Sequence, residues 1–467
     1  MSQNNSIEFD EALIQRYDKA GPRYTSYPTA VQFHEDFGVQ NYQDAVAATN
    51  QQHRNGEHRP LSLYFHIPFC SKVCFFCGCS KVVTKFRDRA APYLERLHQE
   101  IALQAQLFDN DRTVDQLHWG GGTPTFISHE EMQQLMAVTR QHFKLHDDDS
   151  GEYSIEIDPR EIDGKTLDVL RKLGFNRISL GVQDFEEKVQ KAVNRIQPEE
   201  QTLRAINGAR ELGYKSVSVD LIYGLPFQSV ETFNNTLDKI IQLSPDRLSV
   251  FNYAHLPEMF KPQRRINAED LPSPQEKLEI LHQAIDKLTA AGYVYIGMDH
   301  FAKPDDELAV AQREGNLYRN FQGYSTHAEC DLIALGITAI GKVGNTFSQN
   351  VKTLEQYYEA IDAGQLPIFR GMTLSDDDLL RQKVISELIC HFKLNMRDIE
   401  QGFDIKFAEY FATELKELET MQQDGLLTLD QNEITVHDSG RLLIRNICMV
   451  FDKYLRQQTR QAYSKVI

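Results

Sequence analysis

The chain predicts an α/β fold on a mostly parallel sheet, and two periodic features of its 467 residues carry that expectation. β-like runs recur near 62–69, 114–120, 153–158, 175–182, 216–223, 247–254 and 293–299. Amphipathic helical stretches lie between them, over 93–108, 130–143, 199–212, 230–243 and 274–291. Such alternation favours parallel strands joined by helical crossovers, and it fits a closed or partial (β/α) barrel as well as an open doubly wound sheet. In either architecture ligands gather at the C-terminal ends of the strands.

The elements divide the chain into three parts. Residues 1–55 precede the repeat and form an N-terminal extension, and residues 56–360 hold the repeat itself. Residues 361–467 turn mostly helical, with expected helices over 376–392, 396–403 and 407–424 following one at 353–363. The runs 426–429 and 433–436 pair as a small hairpin across Asp430-Gln-Asn432, before a last helix from Ser439. Helices followed by a hairpin suggest a winged-helix-like domain, read here as a structural cover.

Composition removes several functions. Sixty-seven acidic residues against 50 basic ones leave a formal charge of −17, whereas a nucleic-acid binder normally presents a basic footprint. No apolar run approaches the ~18 residues of a membrane span. The polar start, residues 1–10, lacks a signal peptide's basic and apolar regions, so a cytoplasmic protein is expected.

Seven cysteines are present, and four fall in Cys70-Ser-Lys-Val-Cys74-Phe-Phe-Cys77-Gly-Cys79. The C-x3-C-x2-C spacing follows the apolar run 61–69, which places the thiols on a loop after a buried strand. Structural zinc would need a fourth ligand and usually a second knuckle. An iron–sulfur cube held by three cysteines leaves one iron open for chemistry. Spacing alone leaves a catalytic iron–sulfur site, structural zinc and unligated thiols open, while a disulfide framework does not suit so large a chain without a secretory segment. Gly120-Gly-Gly-Thr123 follows the second strand, where missing side chains let backbone groups approach a ligand, although a plain tight turn reads the same way.

The loop His66-Ile-Pro-Phe-Cys70 to Cys79 resembles the oxygen-independent coproporphyrinogen III oxidase family of the radical S-adenosylmethionine (SAM) enzymes. The resemblance continues through Gly21-Pro-Arg-Tyr-Thr-Ser-Tyr-Pro28, His118-Trp-Gly-Gly-Gly-Thr-Pro-Thr125, Ile155-Glu-Ile-Asp-Pro-Arg160, Gly181-Val-Gln-Asp184 and Asp220-Leu-Ile-Tyr-Gly-Leu-Pro226. Phe251-Asn-Tyr-Ala-His255, Gly297-Met-Asp-His-Phe-Ala302 and Arg441-Leu-Leu-Ile-Arg-Asn-Ile-Cys448 extend it toward the end.

This resemblance selects the partial (β/α) barrel and implies one [4Fe–4S] cluster on Cys70, Cys74 and Cys77, whose open iron chelates SAM. It implies two SAM molecules. Tyr64, Gly121, Glu156 and Ile340 match contacts of the cluster-bound one, and Phe76, Gly122, Thr123, Gln183, Arg195, Asp220 and Ala254 match contacts of the second. Taken singly, Arg195 and Asp220 would read as surface ion-pair partners, and Ala254 and Ile340 as core. Cys79 matches no ligand. The implied substrate is coproporphyrinogen III, two of whose propionates become vinyl groups, with a reductant for the cluster and a terminal electron acceptor as further partners and a monomer expected. No residue is assigned as acid or base, since hydrogen abstraction by a radical requires neither. Arg23 and Tyr24 are hypothesised to close over the substrate, with Arg23 on a propionate, against a plain docked terminus. A haem-delivering relative and a different radical SAM enzyme such as a methyltransferase are the competing readings; Cys77-Gly-Cys79 and the N-terminal extension favour the oxidase.

Overall fold

A computed structural model gives the architecture and describes residues 7–457. Residues 1–6 and 458–467, at the outer ends of the expected extension and C-terminal domain, lie outside the described residues, and with them most of the polar start.

The repeat folds into six parallel strands: β1 (Leu61–Ile67), β2 (Thr113–Gly121), β3 (Glu152–Ile157), β4 (Arg177–Gln183), β5 (Ser216–Tyr223) and β6 (Arg247–Asn252). They pair in sequence order, and the intervening helices include Ala91–Ala105, His129–His142, Glu199–Glu211, Val230–Leu243 and Pro274–Ala290. The helix starts follow local chemistry: Ser128 accepts from the Glu131 N–H at 3.2 Å while the Glu131 carboxylate accepts from the Ser128 N–H at 2.7 Å.

The expected run at 293–299 departs from the repeat. β7 (Val294–Gly297) and β8 (His300–Ala302) form an antiparallel hairpin on the edge at β6, because the chain reverses at Met298 and Asp299, both with left-handed φ. A seventh parallel strand, β9 (Asp331–Leu335), pairs with β1 on the other side. An antiparallel meander follows: β10 (Ile340–Val343), β11 (Thr346–Asn350) and β12 (Ile368–Thr373). β12 pairs with β11 in this main sheet although the division at residue 360 assigned it to the C-terminal part, so backbone pairing carries the sheet to residue 373. The ladder is a path between β7 and β12 rather than a ring, as a partial barrel requires.

Strand alternation decides what lies inside. On β3, Tyr153, Ile155 and Ile157 join the core shared with the helices, while Glu152, Ser154 and Glu156 face the lumen. β2 adds Gln116 and His118, β5 adds Ser216, Ser218 and Asp220, and β6 adds Arg247 and Ser249 to a cavity of about 290 Å³. A barrel packed only for stability fills its interior with branched apolar side chains. This lumen is polar.

The C-terminal region matches the expected helices at Asp376–His391 and Met396–Phe403. The single helix expected over 407–424 is two, Phe407–Tyr410 and Ala412–Gln423, with the break at Phe411, whose ring is buried against Phe407 and Phe451. The hairpin Leu427–Leu429 with Glu433–Val436 forms as expected, and Lys393–Asn395 adds a third strand. The N-terminal extension docks on this region: Arg445 donates to the carbonyls of Gly21 and Pro22, and Arg16 pairs with Asp424 at 2.7 Å.

Candidate active site

Past Ile67 the chain turns into the loop that carries the cysteines, and backbone bonds fasten that loop on several sides. The Gly122 N–H donates to the Ile67 carbonyl (2.9 Å), Thr123 to Phe69 (2.8 Å), Thr84 to Cys70 (3.0 Å) and Phe75 to Val193 (2.9 Å). Asn194 Nδ2 donates to the Val73 carbonyl at 2.8 Å. The glycines at the end of β2 are dictated by this contact: Gly121 has φ +112°, and a Cβ on Gly122 would lie 2.6 Å from the Pro68 carbonyl.

Cys70, Cys74 and Cys77 line one cavity of about 260 Å³ with Phe76, Gly121, Gly122 and Thr123. Glu156, Gln183, Arg195 and Asp220 line its other side. Residues separated by as many as 150 positions thus meet at the C-terminal ends of the strands. Tyr64 stands behind, its hydroxyl 3.2 Å from His66 Nδ1 and its ring stacked on His118 at 5.9 Å. Ala254 is tied to Phe76 through Gln263, whose Nε2 donates to both carbonyls, at 3.2 and 2.9 Å.

Three other predicted residues lie elsewhere. Ile340 packs against a separate apolar cluster of Phe33, Phe347 and Leu374. Arg23 faces Asp299 at 3.7 Å and lines a neighbouring cavity of about 430 Å³ with Tyr223, Asn252 and Ala254. Tyr24 is buried, its hydroxyl donating to Asp452 at 2.9 Å. That hydroxyl is already engaged, as a docked terminus would have it.

Charge is distributed unevenly around the sulfurs. Arg160 Nη2 and Arg195 Nη1 each approach Cys74 Sγ to 3.5 Å, and Asp158 accepts from both, at 2.6 and 3.1 Å. Burial works upward on the Asp158 carboxyl, but Arg195 and Arg160 outweigh it and hold it low. Burial pushes the Cys70 thiol up to about 11, eased by the Thr123 hydroxyl. Cys77 is held low by a hydrogen bond from the Cys79 thiol, against its own burial, with Lys81 assisting.

The two carboxylates opposite differ in the same way. Enclosure pushes Glu156 up, yet His118 at 3.4 Å and the Gly121 N–H at 3.2 Å hold it low. Asp220 is pushed up to about 6 by burial and then by the Glu156 charge. Two polar atoms in the cavity wall, Gln183 Oε1 and Arg195 Nε, are enclosed without a hydrogen-bond partner among the described residues. Buried polar groups normally find partners, so these suit a polar ligand. Sequence reasoning missed Arg160, Asp158, Lys81 and Ser179. The first two sit in the same Ile155–Arg160 segment as Glu156, and the alternation on β3 and β4 pointed to the polar lumen face.

Comparison with known proteins bears on this cavity directly. A family model described as the radical SAM superfamily matches residues 64–240, from Tyr64 past Asp220, and one described as the HemN C-terminal domain matches 374–443. The oxygen-independent coproporphyrinogen III oxidase of Pseudomonas aeruginosa is 55% identical over 463 residues, covering 99% of this chain and 100% of that protein. That of Escherichia coli (strain K12) is 54% identical over 462 residues, covering 99% of each. The chain belongs to the oxygen-independent coproporphyrinogen III oxidase family. The solved structure of the Escherichia coli coproporphyrinogen III oxidase HemN, described as a radical SAM enzyme, superposes with a TM-score of 0.91 at 52% identity, covering 96% of this chain and 100% of that one.

As a radical SAM enzyme, this family member works with SAM and an iron–sulfur cluster. The cavity suits both: three thiols from one short loop, close backbone approach at Gly121 and Gly122, and carboxylates facing them. The second family model begins at residue 374, directly after β12 leaves the main sheet.

Proposed function

We propose that this chain oxidises coproporphyrinogen III without oxygen, decarboxylating two of its propionates to vinyl groups and giving protoporphyrinogen IX. The observation that supports this most strongly is the near-complete, 55%-identical alignment with an oxidase of that name. In this reading Cys70, Cys74 and Cys77 hold a [4Fe–4S] cluster. When bound, the cluster, reduced by one electron from its donor, and SAM would supply a 5′-deoxyadenosyl radical able to take a hydrogen atom from a propionate β-carbon; carbon dioxide would then be released and one electron passed to the terminal acceptor.

The chain's own residues position and shield. Glu156, held as a carboxylate, and the Gly121 backbone take the amino and carboxylate end of one SAM against Tyr64. Gln183, Arg195 and Asp220 bind a second SAM across the cavity with Phe76, Gly122, Thr123 and Ala254. The unpartnered Gln183 Oε1 and Arg195 Nε suit that role. The polar lumen adjoins this cavity along Glu156, Ser179 and Asp220 and receives part of the macrocycle. The N-terminal extension and C-terminal domain cover the barrel, and Arg23 faces the substrate. The reaction takes place in the reducing cytoplasm, which seven free thiols suit, in a monomer served by a separate electron donor and acceptor.

Anaerobic reconstitution with iron and sulfide, followed by assay of 5′-deoxyadenosine and vinyl product with and without coproporphyrinogen III, tests the reading. Product is expected from the unaltered chain and lost in Cys74→Ser. A cluster that binds haem but forms no vinyl product would point to a haem carrier, and zinc in place of iron would overturn the mechanism.

A further inference from the structure

A second group of arginines lies away from the cysteines, on segments distant in sequence. The hairpin Tyr318–Asn320 with Gly323–Ser325 borders the lumen, and its Arg319 guanidinium lies 4.6 Å over the Tyr324 ring. Arg319 Nε and Nη1 are enclosed and have no hydrogen-bond partner among the described residues. Leaving a charged donor unsatisfied costs more than leaving a neutral one, so two such N–H groups on one guanidinium call for an anionic partner.

The surroundings point the same way. The Tyr324 ring meets His300 edge-on at 5.3 Å, and Asp299, beside His300, faces Arg23 at 3.7 Å. Burial pushes the Asp299 carboxyl up, and the charges of Arg23, Arg445 and Arg319 work against it, Arg23 from 3.7 Å. Arg445 is fixed by the carbonyls of Gly21 and Pro22. His300 adds no charge of its own: burial, then Arg319, push its pKa down to about 3. The turn that presents Asp299 is built for close contact, since Gly297 has φ +133° and a Cβ there would stand 2.5 Å from the Tyr324 hydroxyl.

We infer that Arg319 forms a carboxylate-binding site that takes a propionate of the tetrapyrrole, an inference that rests on the substrate reading above. Either edge of the planar group, Nε with Nη2 or Nη1 with Nη2, can donate two parallel N–H groups to a carboxylate, while the Tyr324 ring covers one face and directs the ligand to the edge. Position selects which propionate it holds. The lumen borders the cysteine cavity at Glu156, Ser179 and Asp220, and at Gln116 and Asn320 it borders a small cavity of about 40 Å³ that Arg319 lines. A propionate on Arg319 is therefore not the one that reacts in that turnover.

The test uses reconstituted holoenzyme and coproporphyrin III, the aromatic and unreactive form, titrated by fluorescence as the free tetra-acid and as its tetramethyl ester. The unaltered enzyme is expected to bind the acid about tenfold or more tightly than the ester, the scale of one charge-assisted fork. Arg319→Gln should cut that preference by about tenfold and raise KM for coproporphyrinogen III, leaving iron content and substrate-free 5′-deoxyadenosine formation unchanged; Arg319→Lys should recover part of it. Equal binding of acid and ester by the unaltered enzyme, or an undiminished preference in Arg319→Gln, overturns the site. Should Arg319→Gln lose its iron, Arg319→Lys decides by the same titration, an undiminished preference again overturning it. Failure of the unaltered enzyme to form vinyl product would instead remove the substrate reading itself.

Discussion

Around Cys74, two arginines meet one sulfur and share the carboxylate of Asp158 between them, whereas Asp299 has Arg23 at 3.7 Å and nearby Arg319 keeps two N–H groups without a partner among the described residues. At the cysteine end, Arg160 and Asp158 come from one short segment and Arg195 from the loop after β4, so the charges are matched within the barrel itself. At the other end the charges that act on Asp299 come from positions 23, 319 and 445, on the N-terminal extension, the hairpin and the C-terminal region. The first arrangement sets two fixed cations on one thiol sulfur. In the second, Arg319 keeps two N–H groups for a ligand to answer.

The largest effect is expected from breaking the matched end. Arg195→Gln removes a buried partner of Asp158 and one of the two cations on Cys74, and SAM affinity should fall about 30-fold or more, near 2 kcal/mol, in an equilibrium binding assay. Arg195→Lys should restore only part, because the fork cannot be reproduced. Unchanged SAM binding in Arg195→Gln would remove the difference drawn between the two ends.

Gly297→Ala probes the other end. With φ +133° and the Tyr324 hydroxyl 2.5 Å from the added carbon, the variant should lose about 1–2 kcal/mol of stability in denaturant unfolding and move the ring beneath Arg319. Substrate KM should rise while SAM binding holds. An equal loss of SAM binding would show that the two ends are not separable.

The smallest effect sharpens the comparison through pH. Asp220 is pushed up to about 6, so it is a carboxylate above that pH and an uncharged acid below it. SAM affinity should weaken as pH falls through about 6, by at most about tenfold per unit, and Asp220→Asn should flatten the profile. A profile that stays steep in Asp220→Asn would assign the titration to another group.

Much of the barrel is legible before folding is considered. The runs at 62–69, 153–158 and 216–223 differ from β1, β3 and β5 by no more than two residues at either end, because alternation and helix amphipathicity are local properties. β9 escaped notice: all five of its residues are buried, so it shows no alternation, and an apolar run that short does not distinguish strand from helix. The meander through β12 was hidden for a related reason, since its partners are set by the sheet edge at β9 and not by its own pattern. Phe411 broke a helix whose periodicity runs through it, tertiary packing of the ring overriding propensity.

The sequence by itself determined the cysteine loop, the glycine turn after β2 and the alternation of strand and helix, since each depends on neighbours within a few residues. Tertiary structure decided which polar side chains face the lumen together, why Arg160 as well as Arg195 meets Cys74, that the Tyr24 hydroxyl is taken by Asp452, and that Arg23, Arg319 and Arg445 gather near Asp299. Charges act through space over a few ångströms, and only the packed chain brings residues hundreds of positions apart to that distance.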